Sequence, residues 1–366
     1  MSLLATSICA GLLLGQTPQV SYIERQLQPP GGGEPRLFLW VLGDRMPTPK
    51  LSPKRFGENK IPFEFDWLTP AYARLQPNKV SLRFRVYSQE RRQEGDLAPQ
   101  VAQTLLRLFD RNFWQLGIDH NPVYNDGIID VYLCWGGQAG GEQLYDQEVV
   151  RNRPVKVNTI YIYDLASFTE PVEKLREVAH EYGHASLPPI GGFDEPEHWA
   201  NGYLGEKINL AYLRDGLAKG WFTPDDTMGA TQAQLDLWVK SNVEPLVAKA
   251  ASDPPSEPRL AGKDKASMDA YIGLAAYMNA LLPPKTFTRS MALTGSIKAT
   301  DYPAGIALAV EEASQKLQIP AYLLGKKIWV PTSDGTVTGA TVLKKKGGWA
   351  QVQPKTPELT IVPKKR

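Results

Sequence analysis

His180-Glu-Tyr-Gly-His184 is the stretch that decides the fold, because it lies inside a segment that carries every local mark of a helix. Pro171 suits the first turn of a helix, where the missing N–H of proline costs little. Apolar residues then recur at helical spacing, and Pro188-Pro189 disfavour continuation. The sequence therefore predicts a helix from about 171 to 187, with one apolar face packed on a sheet.

The two histidines of this stretch are four residues apart, so on a helix their imidazoles project from the same face, one turn apart. That separation suits two ligands of one zinc ion. Glu181 lies between them, close enough to accept a proton from a water molecule that the metal activates, and amide hydrolysis requires this chemistry. The alternative is a solvated helix face with histidines at this spacing by chance. We predict a Zn²⁺ site with His180 and His184 as ligands and Glu181 as the catalytic general base.

The preceding chain alternates strands and helices. Residues 79–88 alternate as a half-buried strand, and residues 96–116 show apolar positions at helical spacing. Residues 127–135 and 158–163 are apolar, β-branched and aromatic, which is typical of strands. This order of strand, helix, strand, strand leading into the histidine helix predicts a mixed sheet with the helix packed against it.

A catalytic zinc site needs a third protein ligand, and residues 191–206 offer Glu197, His198 and Glu206. We expect a second helix to start near residue 195, after a loop of ordinary length. If the two helices run antiparallel, the point opposite the histidines falls within the first two turns of the second helix. That geometry favours Glu197 or His198 over Glu206.

Glu197-His-Trp-Ala-Asn201 fits the pattern Glu-x-x-Ala-Asn/Asp, which follows the histidine motif in several branches of one family. With that motif it resembles the gluzincin metallopeptidases, the HExxH enzymes whose third zinc ligand is a glutamate from a following helix. The resemblance implies that Glu197 is a zinc ligand and that Asn201 hydrogen-bonds back toward a zinc-bound histidine, fixing its orientation. It covers only about residues 180–206.

The chain also departs from the common spacing of that family. Only twelve residues separate His184 from Glu197, a shorter interval than in the thermolysin-like enzymes. Glu206 therefore remains the second candidate for the third ligand, and His198 the third. Without a metal, Glu197 would be the N3 residue of a capping box with Asp194 at the N-cap.

The charge composition of the chain limits the classes of partner that it is expected to bind. The 366 residues carry 41 Lys and Arg against 39 Asp and Glu, a net charge of +2, so no overall field favours nucleic acid. The basic clusters 344–346 and 364–366 are short, and a solvated hairpin and a charged tail explain them. We predict a peptide or protein substrate and no nucleic-acid partner.

Residues 1–16 form an apolar run that is too short to span a bilayer and resembles the core of a secretory signal peptide, although the usual positive charge is missing. The alternative is a buried amphiphilic N-terminus. If the segment is removed, Cys134 is the only cysteine left, so an internal disulfide is excluded. The sequence predicts an extracytoplasmic protein, secreted or periplasmic, without stable membrane insertion after removal of the signal.

The predicted fold class is α+β, with a zincin-like mixed sheet and active-site helix, a mainly helical second half and a small C-terminal β subdomain. Residues 17–75 are rich in proline and glycine and predict an irregular extended segment, with regular elements beginning at Lys79. Residues 76–325 are the predicted metallopeptidase domain, and residues 326–366 the β subdomain. We expect helices at 199–219, 230–251, 267–282 and 303–317, then strands at 327–330, 336–343, 349–353 and 359–362.

These features predict an exported zinc metallopeptidase that hydrolyses peptide bonds. The developing oxyanion needs a donor besides zinc, for which the candidates are His198, Tyr203 and Tyr271. The strand 158–163, if it lies at the sheet edge, is expected to bind an extended peptide. The alternatives are a non-catalytic, zinc-containing exported binding protein and a metal-free envelope protein with a fortuitous motif.

Overall fold

The computed structural model describes residues 22–42, 65, 67–89, 97–134, 138–150 and 153–364. The predicted signal peptide, residues 1–16, lies outside the described residues. The predicted α+β architecture is confirmed, because the described chain forms a seven-stranded mixed sheet, a helical region and two small antiparallel sheets.

The large sheet has the strand order β1-β2-β3-β4-β5-β7-β6. Its central strands β4, β5 and β7 are parallel, and the other pairings are antiparallel. The strands are β1 Tyr22–Leu27, β2 Leu37–Leu42, β3 Trp67–Gln76, β4 Lys79–Ser88, β5 Ile129–Cys134, β6 Gly140–Val150 and β7 Arg153–Tyr163.

Two strand predictions need correction. Regular structure does not begin at Lys79, because β1, β2 and β3 precede it and extend the sheet. The apolar run of β2, with Leu37 and Leu39 buried, outweighs the surrounding prolines and glycines. Residues 158–163 are not a sheet edge either, since β7 pairs with β5 on one side and β6 on the other. The unpredicted β6 forms that edge.

Two helices cover one face of this sheet. Helix α1, Leu97–Asp110, continues as a π-helical turn to Leu116, and α2, Pro171–Ser186, confirms the predicted helix with Pro171 in its first turn. Buried residues from the sheet and both helices form one core, including Phe84, Val131, Ile160, Leu105, Phe109, Leu175 and Val178. This packing fixes α2 against the strands β7 and β6.

The chain after α2 is mainly helical, as predicted. Its helices are α3 Asn201–Ala218, α4 Gln232–Asn242, α5 Glu244–Ser252, α6 Glu257–Leu260, α7 Lys265–Leu281, α8 Pro284–Ala292 and α9 Tyr302–Glu311. The predicted helix 230–251 is divided at Val243, just before a proline in the first turn of α5. The predicted helix 303–317 ends at Glu311, and its last residues belong to a strand. No described helix is long and apolar enough to cross a membrane.

The C-terminal strands form two three-stranded antiparallel sheets, β10-β13-β8 and β11-β12-β9. The strands are β8 Gln315–Gln318, β9 Ile328–Pro331, β10 Thr336–Thr338, β11 Ala340–Lys346, β12 Trp349–Pro354 and β13 Glu358–Val362. The predicted strand 336–343 is split at Gly339, whose φ of 91° interrupts the extended chain. Tyr277 of α7 donates a hydrogen bond to the carbonyl of Trp329, and both residues belong to one core shared by helices and strands.

Candidate metal centre

Helices α2 and α3 approach each other closely at glycines. A Cβ on Gly183 would lie 2.6 Å from the carbonyl oxygen of Asn201, and one on Gly205 would lie 2.4 Å from Cα of Gly183. Only residues without side chains allow backbones this near to each other. The contact therefore places the histidine face of α2 directly against the beginning of α3.

Three of the predicted ligands meet in this contact. Nε2 of His180 lies 3.1 Å from Nε2 of His184, and each of these nitrogens lies 3.3 Å from a carboxylate oxygen of Glu197. Within the described chain, these residues form the one group of three or more His, Cys, Asp or Glu side chains close enough to share an ion. Ligands at zinc-bonding distance in tetrahedral geometry lie about 3.3 Å apart, so the spacing fits.

Glu197 reaches this point from a loop, and the prediction of a helix starting near residue 195 is wrong. The loop closes on itself, because the amide of Ala200 donates to the carbonyl of Ile190 at 2.8 Å and Gly191 forms a β-bridge with Trp199. Asp194 does not cap a helix, since α3 begins only at Asn201. Glu197 thus lies in the loop before α3 and not on the helix. Because the ligand comes before the helix, fewer residues separate it from the histidines.

Asn201 fixes the ring of His184. Its amide nitrogen donates to the carbonyls of His184 at 3.2 Å and Leu187 at 3.3 Å, which leaves its oxygen 3.0 Å from Nδ1 of His184. A carbonyl oxygen only accepts, so Nδ1 carries the proton and the lone pair of Nε2 points into the group of three. The resemblance implied this contact for Asn201.

Glu206, the second candidate ligand, lies behind His180. Its Oε2 is 3.6 Å from Nδ1 of that ring, while its Oε1 accepts from Arg176 at 3.0 Å and from Lys207 at 2.9 Å. Burial raises its pKa, but the hydrogen bond with His180 and the two cations outweigh burial and lower it to about 2. This placement indicates that Glu206 orients the ring of His180 and is not itself a metal ligand.

The three candidate oxyanion donors lie in different surroundings. Tyr271 is fully buried against Tyr302 in the helical core, and as an oxyanion donor it stays a prediction. His198 is exposed, and its ring contacts Trp199. Tyr203 remains at the site, because its half-buried ring packs edge-on against His180 with centroids 4.7 Å apart.

Glu181 lies on the other side of α2, against the sheet. Its side chain is only 3% exposed, and its Oε2 has no hydrogen-bond partner. Burial raises the pKa of this carboxyl to about 8. A Cβ on Gly141 of β6 would lie 2.7 Å from Cγ of Glu181, so the glycine lets the edge strand approach the carboxylate. Sequence reasoning missed β6, because its residues are largely polar and begin with two glycines, which give little signal for a strand.

The arrangement fits a bound cation. With the Nδ1 atoms protonated, the two Nε2 atoms and the Glu197 carboxylate all present lone pairs to one another at 3.1–3.3 Å, which is repulsive unless a cation lies among them. The Oε1 atom of Glu197 is buried without a hydrogen bond, as the Oε2 of Glu181 is. Two imidazoles and one carboxylate form a donor set that zinc takes at catalytic sites.

Comparison with family models, curated proteins and solved structures found no match. The resemblance over residues 180–206 therefore stays a prediction, and the function must be argued from the geometry of the site.

Without a metal, a proton takes the place of the cation. Burial lowers the pKa of His180, but its hydrogen bonds to Glu197 and Glu206 outweigh burial and raise the pKa to about 10. Burial likewise raises the pKa of Glu197, and its close contacts with His180 and His184 outweigh burial and lower the pKa to about 2. The Glu197 carboxylate and the Nε2 atoms of the two histidines therefore attract positive charge to the point between them. Either a proton or a metal ion can supply that charge.

Proposed function

We propose that this protein is an exported zinc-dependent metallopeptidase that hydrolyses peptide bonds at the site formed by residues of α2, the start of α3 and β6. One observation carries the proposal. His180, His184 and Glu197 converge as three possible ligands of one ion, and the residue after His180, Glu181, has a buried carboxylate whose Oε2 has no hydrogen-bond partner. A structural zinc site is usually closed by four protein ligands, whereas a catalytic one has three.

Different residues would bind the metal and orient its ligands. His180, His184 and Glu197 would hold the zinc ion, while Asn201 and Glu206 keep the imidazole rings in the binding orientation. A bound zinc ion would supply Lewis acidity, lowering the pKa of a water molecule and stabilising negative charge on the substrate carbonyl oxygen.

Glu181 would accept the proton of the attacking water at its free Oε2 and pass that proton to the leaving amine. Its raised pKa helps the second step, because a carboxyl that holds its proton near neutral pH is a good general acid. In the first step the carboxylate form of Glu181 would accept the proton, and a cation held by the neighbouring residues would favour that form.

The extended substrate would lie along β6. We expected β-addition at residues 158–163, but those residues lie inside the sheet, and β6 is the edge strand on that side. Gly141 brings this strand next to Glu181, so a peptide added to the edge of β6 that pairs with no described strand would pass the general base. Tyr203, beside His180, is the candidate at this site for a donor to the oxyanion.

Zinc content and hydrolysis together test the proposal. The purified chain from about Gln16 onward should retain about one zinc ion per molecule after dialysis and cleave members of a peptide library. Glu181→Gln should keep the zinc and lose hydrolysis, whereas Glu170→Gln, an exposed residue at the start of the same helix, should change neither. Zinc retention without hydrolysis of any peptide would favour the binding protein, and a chain that takes up no zinc would exclude both.

A further inference from the structure

Glu177 lies one turn before Glu181 on α2 and faces the same strand. Its Oε1 is 2.8 Å from the point where a Cβ on Gly141 would lie, and Oε1 of Glu181 is also 2.8 Å from that point. Two carboxylates therefore flank one position of β6, the edge along which the proposed function places the substrate. Glu177 is half-buried, so its carboxylate is only partly hydrated.

The nearby cations already have partners. Arg176 binds Glu173 and Glu206, and Lys207 also binds Glu206. None of the hydrogen bonds and ion pairs found between described residues includes Glu177. Nor does Glu177 belong to the one group of described residues that could share a metal ion.

Charge balance leaves this carboxylate unpaired even with a metal in place. A divalent cation would offset Glu197 and Glu181, and Arg176 with Lys207 offsets Glu173 and Glu206 in the contacts above. Burial raises the pKa of Glu177, and the charges of His180 and Arg176 oppose this without forming an ion pair with its carboxylate. A partly buried carboxylate beside a second carboxylate is stabilised by a cation that joins it.

We infer that Glu177 binds a cationic group of the substrate, so the enzyme selects peptides with a positive charge near the scissile bond. This inference rests on the proposed peptidase function and names its substrate class. The cation is an ammonium or guanidinium group, and it comes either from the free α-amine of a short substrate or from a Lys or Arg side chain. Both make charge-assisted hydrogen bonds to a carboxylate.

The experiment compares quenched fluorescent peptides that differ by one group. Lys replaces Met at each position on either side of the cleaved bond, and every peptide is made with a free and with an acetylated N-terminus. The zinc-loaded full chain should hydrolyse the cationic member of a pair with kcat/KM on the order of tenfold to a hundredfold higher, the usual worth of a hydrogen bond to a charged group. Loss of the preference on acetylation identifies the α-amine, and its persistence identifies the side chain.

Glu177→Gln should remove most of this preference, because kcat/KM should fall far more for the cationic member of each pair than for the neutral one. Glu177→Asp should keep part of it, and Glu170→Gln is the matched control. A second readout needs no turnover, because the same peptide pairs can be bound to Glu181→Gln protein with and without Glu177→Gln. The cationic peptide should lose affinity only when Glu177 is replaced, and zinc content should stay equal in all variants.

Failure of the inference differs from failure of the function. Equal cleavage of cationic and neutral peptides by the wild-type enzyme overturns the inference and leaves the peptidase intact, and this test holds even if a Glu177 variant does not fold. A cation preference that survives Glu177→Gln also overturns it. Absence of any hydrolysis overturns the proposed function instead.

Discussion

His180 is held between two carboxylates on opposite ring nitrogens: Glu197 lies 3.3 Å from its Nε2, and Glu206 lies 3.6 Å from its Nδ1. A carboxylate behind a metal-binding imidazole holds the tautomer that presents a lone pair to the metal and raises the basicity of that nitrogen. Glu206 is itself fixed by Arg176 and Lys207. The two glutamates that the sequence left as competing ligands thus occupy different positions around one ring.

Replacement of each glutamate should therefore have different consequences. Glu206→Gln should weaken zinc binding about tenfold to a hundredfold, the usual effect of losing an outer contact. Glu197→Gln should weaken it far more, because a carboxylate next to both Nε2 atoms is lost. Zinc competition against a chromophoric chelator measures both affinities. A larger loss with Glu206→Gln would exchange the two roles.

Gly202 offers a separate test of where the ion lies. A Cβ at this position would be 2.2 Å from Nε2 of His184 and 2.6 Å from Nε2 of His180, so a methyl group would fill the space in front of both nitrogens. Gly202→Ala should abolish zinc binding. Elemental analysis after dialysis measures the loss, and normal zinc content in this variant would show that the ion does not bind in front of these nitrogens.

Gly205→Ala is the companion variant, with the extra methyl group directed at the backbone of Gly183, 2.4 Å from its Cα. The helices would have to move apart, at a cost of about 1 to 3 kcal/mol in the free energy of unfolding. Chemical denaturation in the presence of a metal chelator measures this change in the free energy of unfolding. Gly202→Ala should thus act on zinc binding first, and Gly205→Ala on stability.

Local signals in the sequence were sufficient for α2. Pro171 in the first turn, apolar residues at helical spacing and two prolines after the end act within a few residues of one another, so no distant contact was needed. The histidine pair and Asn201 follow from that helix and from the resemblance. The same reasoning placed β4, β5 and β7, whose residues are largely apolar or alternate regularly.

Distant contacts explain what the sequence did not show. The start of α3 depends on the loop closure between Ile190 and Ala200, which competes with the capping signals near Asp194. Strand β6 is polar and gains its extended form from pairing with β7, so its own residues give little signal. Nothing in the sequence distinguishes Glu177 from any other helix glutamate, because its importance comes from Gly141 on another element.

Gly141 should control the position of the general base. A Cβ there would lie 2.7 Å from Cγ of Glu181 and 2.8 Å from Oε1 of both Glu181 and Glu177, so Gly141→Ala should displace these two carboxylates. We expect kcat to fall about tenfold or more, since small displacements of catalytic groups are costly, while zinc content is unchanged. Gly140→Ala is the neighbouring control, because nothing lies within 4 Å of its Cβ position, although its φ of +149° adds some backbone strain. Equal kcat in wild type and Gly141→Ala would argue against the assigned role of Glu181.

His120 should make stability depend on pH independently of the metal. It is buried, with Nδ1 2.9 Å from the carbonyl of Gly127 and Nε2 3.1 Å from the hydroxyl of Tyr182. Burial lowers its pKa from 6.5 to about 3. Between these values the unfolded chain binds a proton that the folded chain does not, so the free energy of unfolding falls as the pH falls below about 6.5.

The contribution of His120 approaches about 1.4 kcal/mol per pH unit within that range. In His120→Gln this contribution is absent, so the stability difference between wild type and variant should shrink as the pH is lowered from 6.5 toward 4.5. Urea unfolding with chelator present, at several pH values, measures this difference while the metal ligands titrate equally in both proteins. His198→Gln, an exposed histidine in the loop, is the matched control. A stability difference that stays constant across this range would mean that His120 takes up a proton in the folded protein as readily as in the unfolded chain. That result would contradict the assignment of a neutral imidazole to His120 in the folded protein.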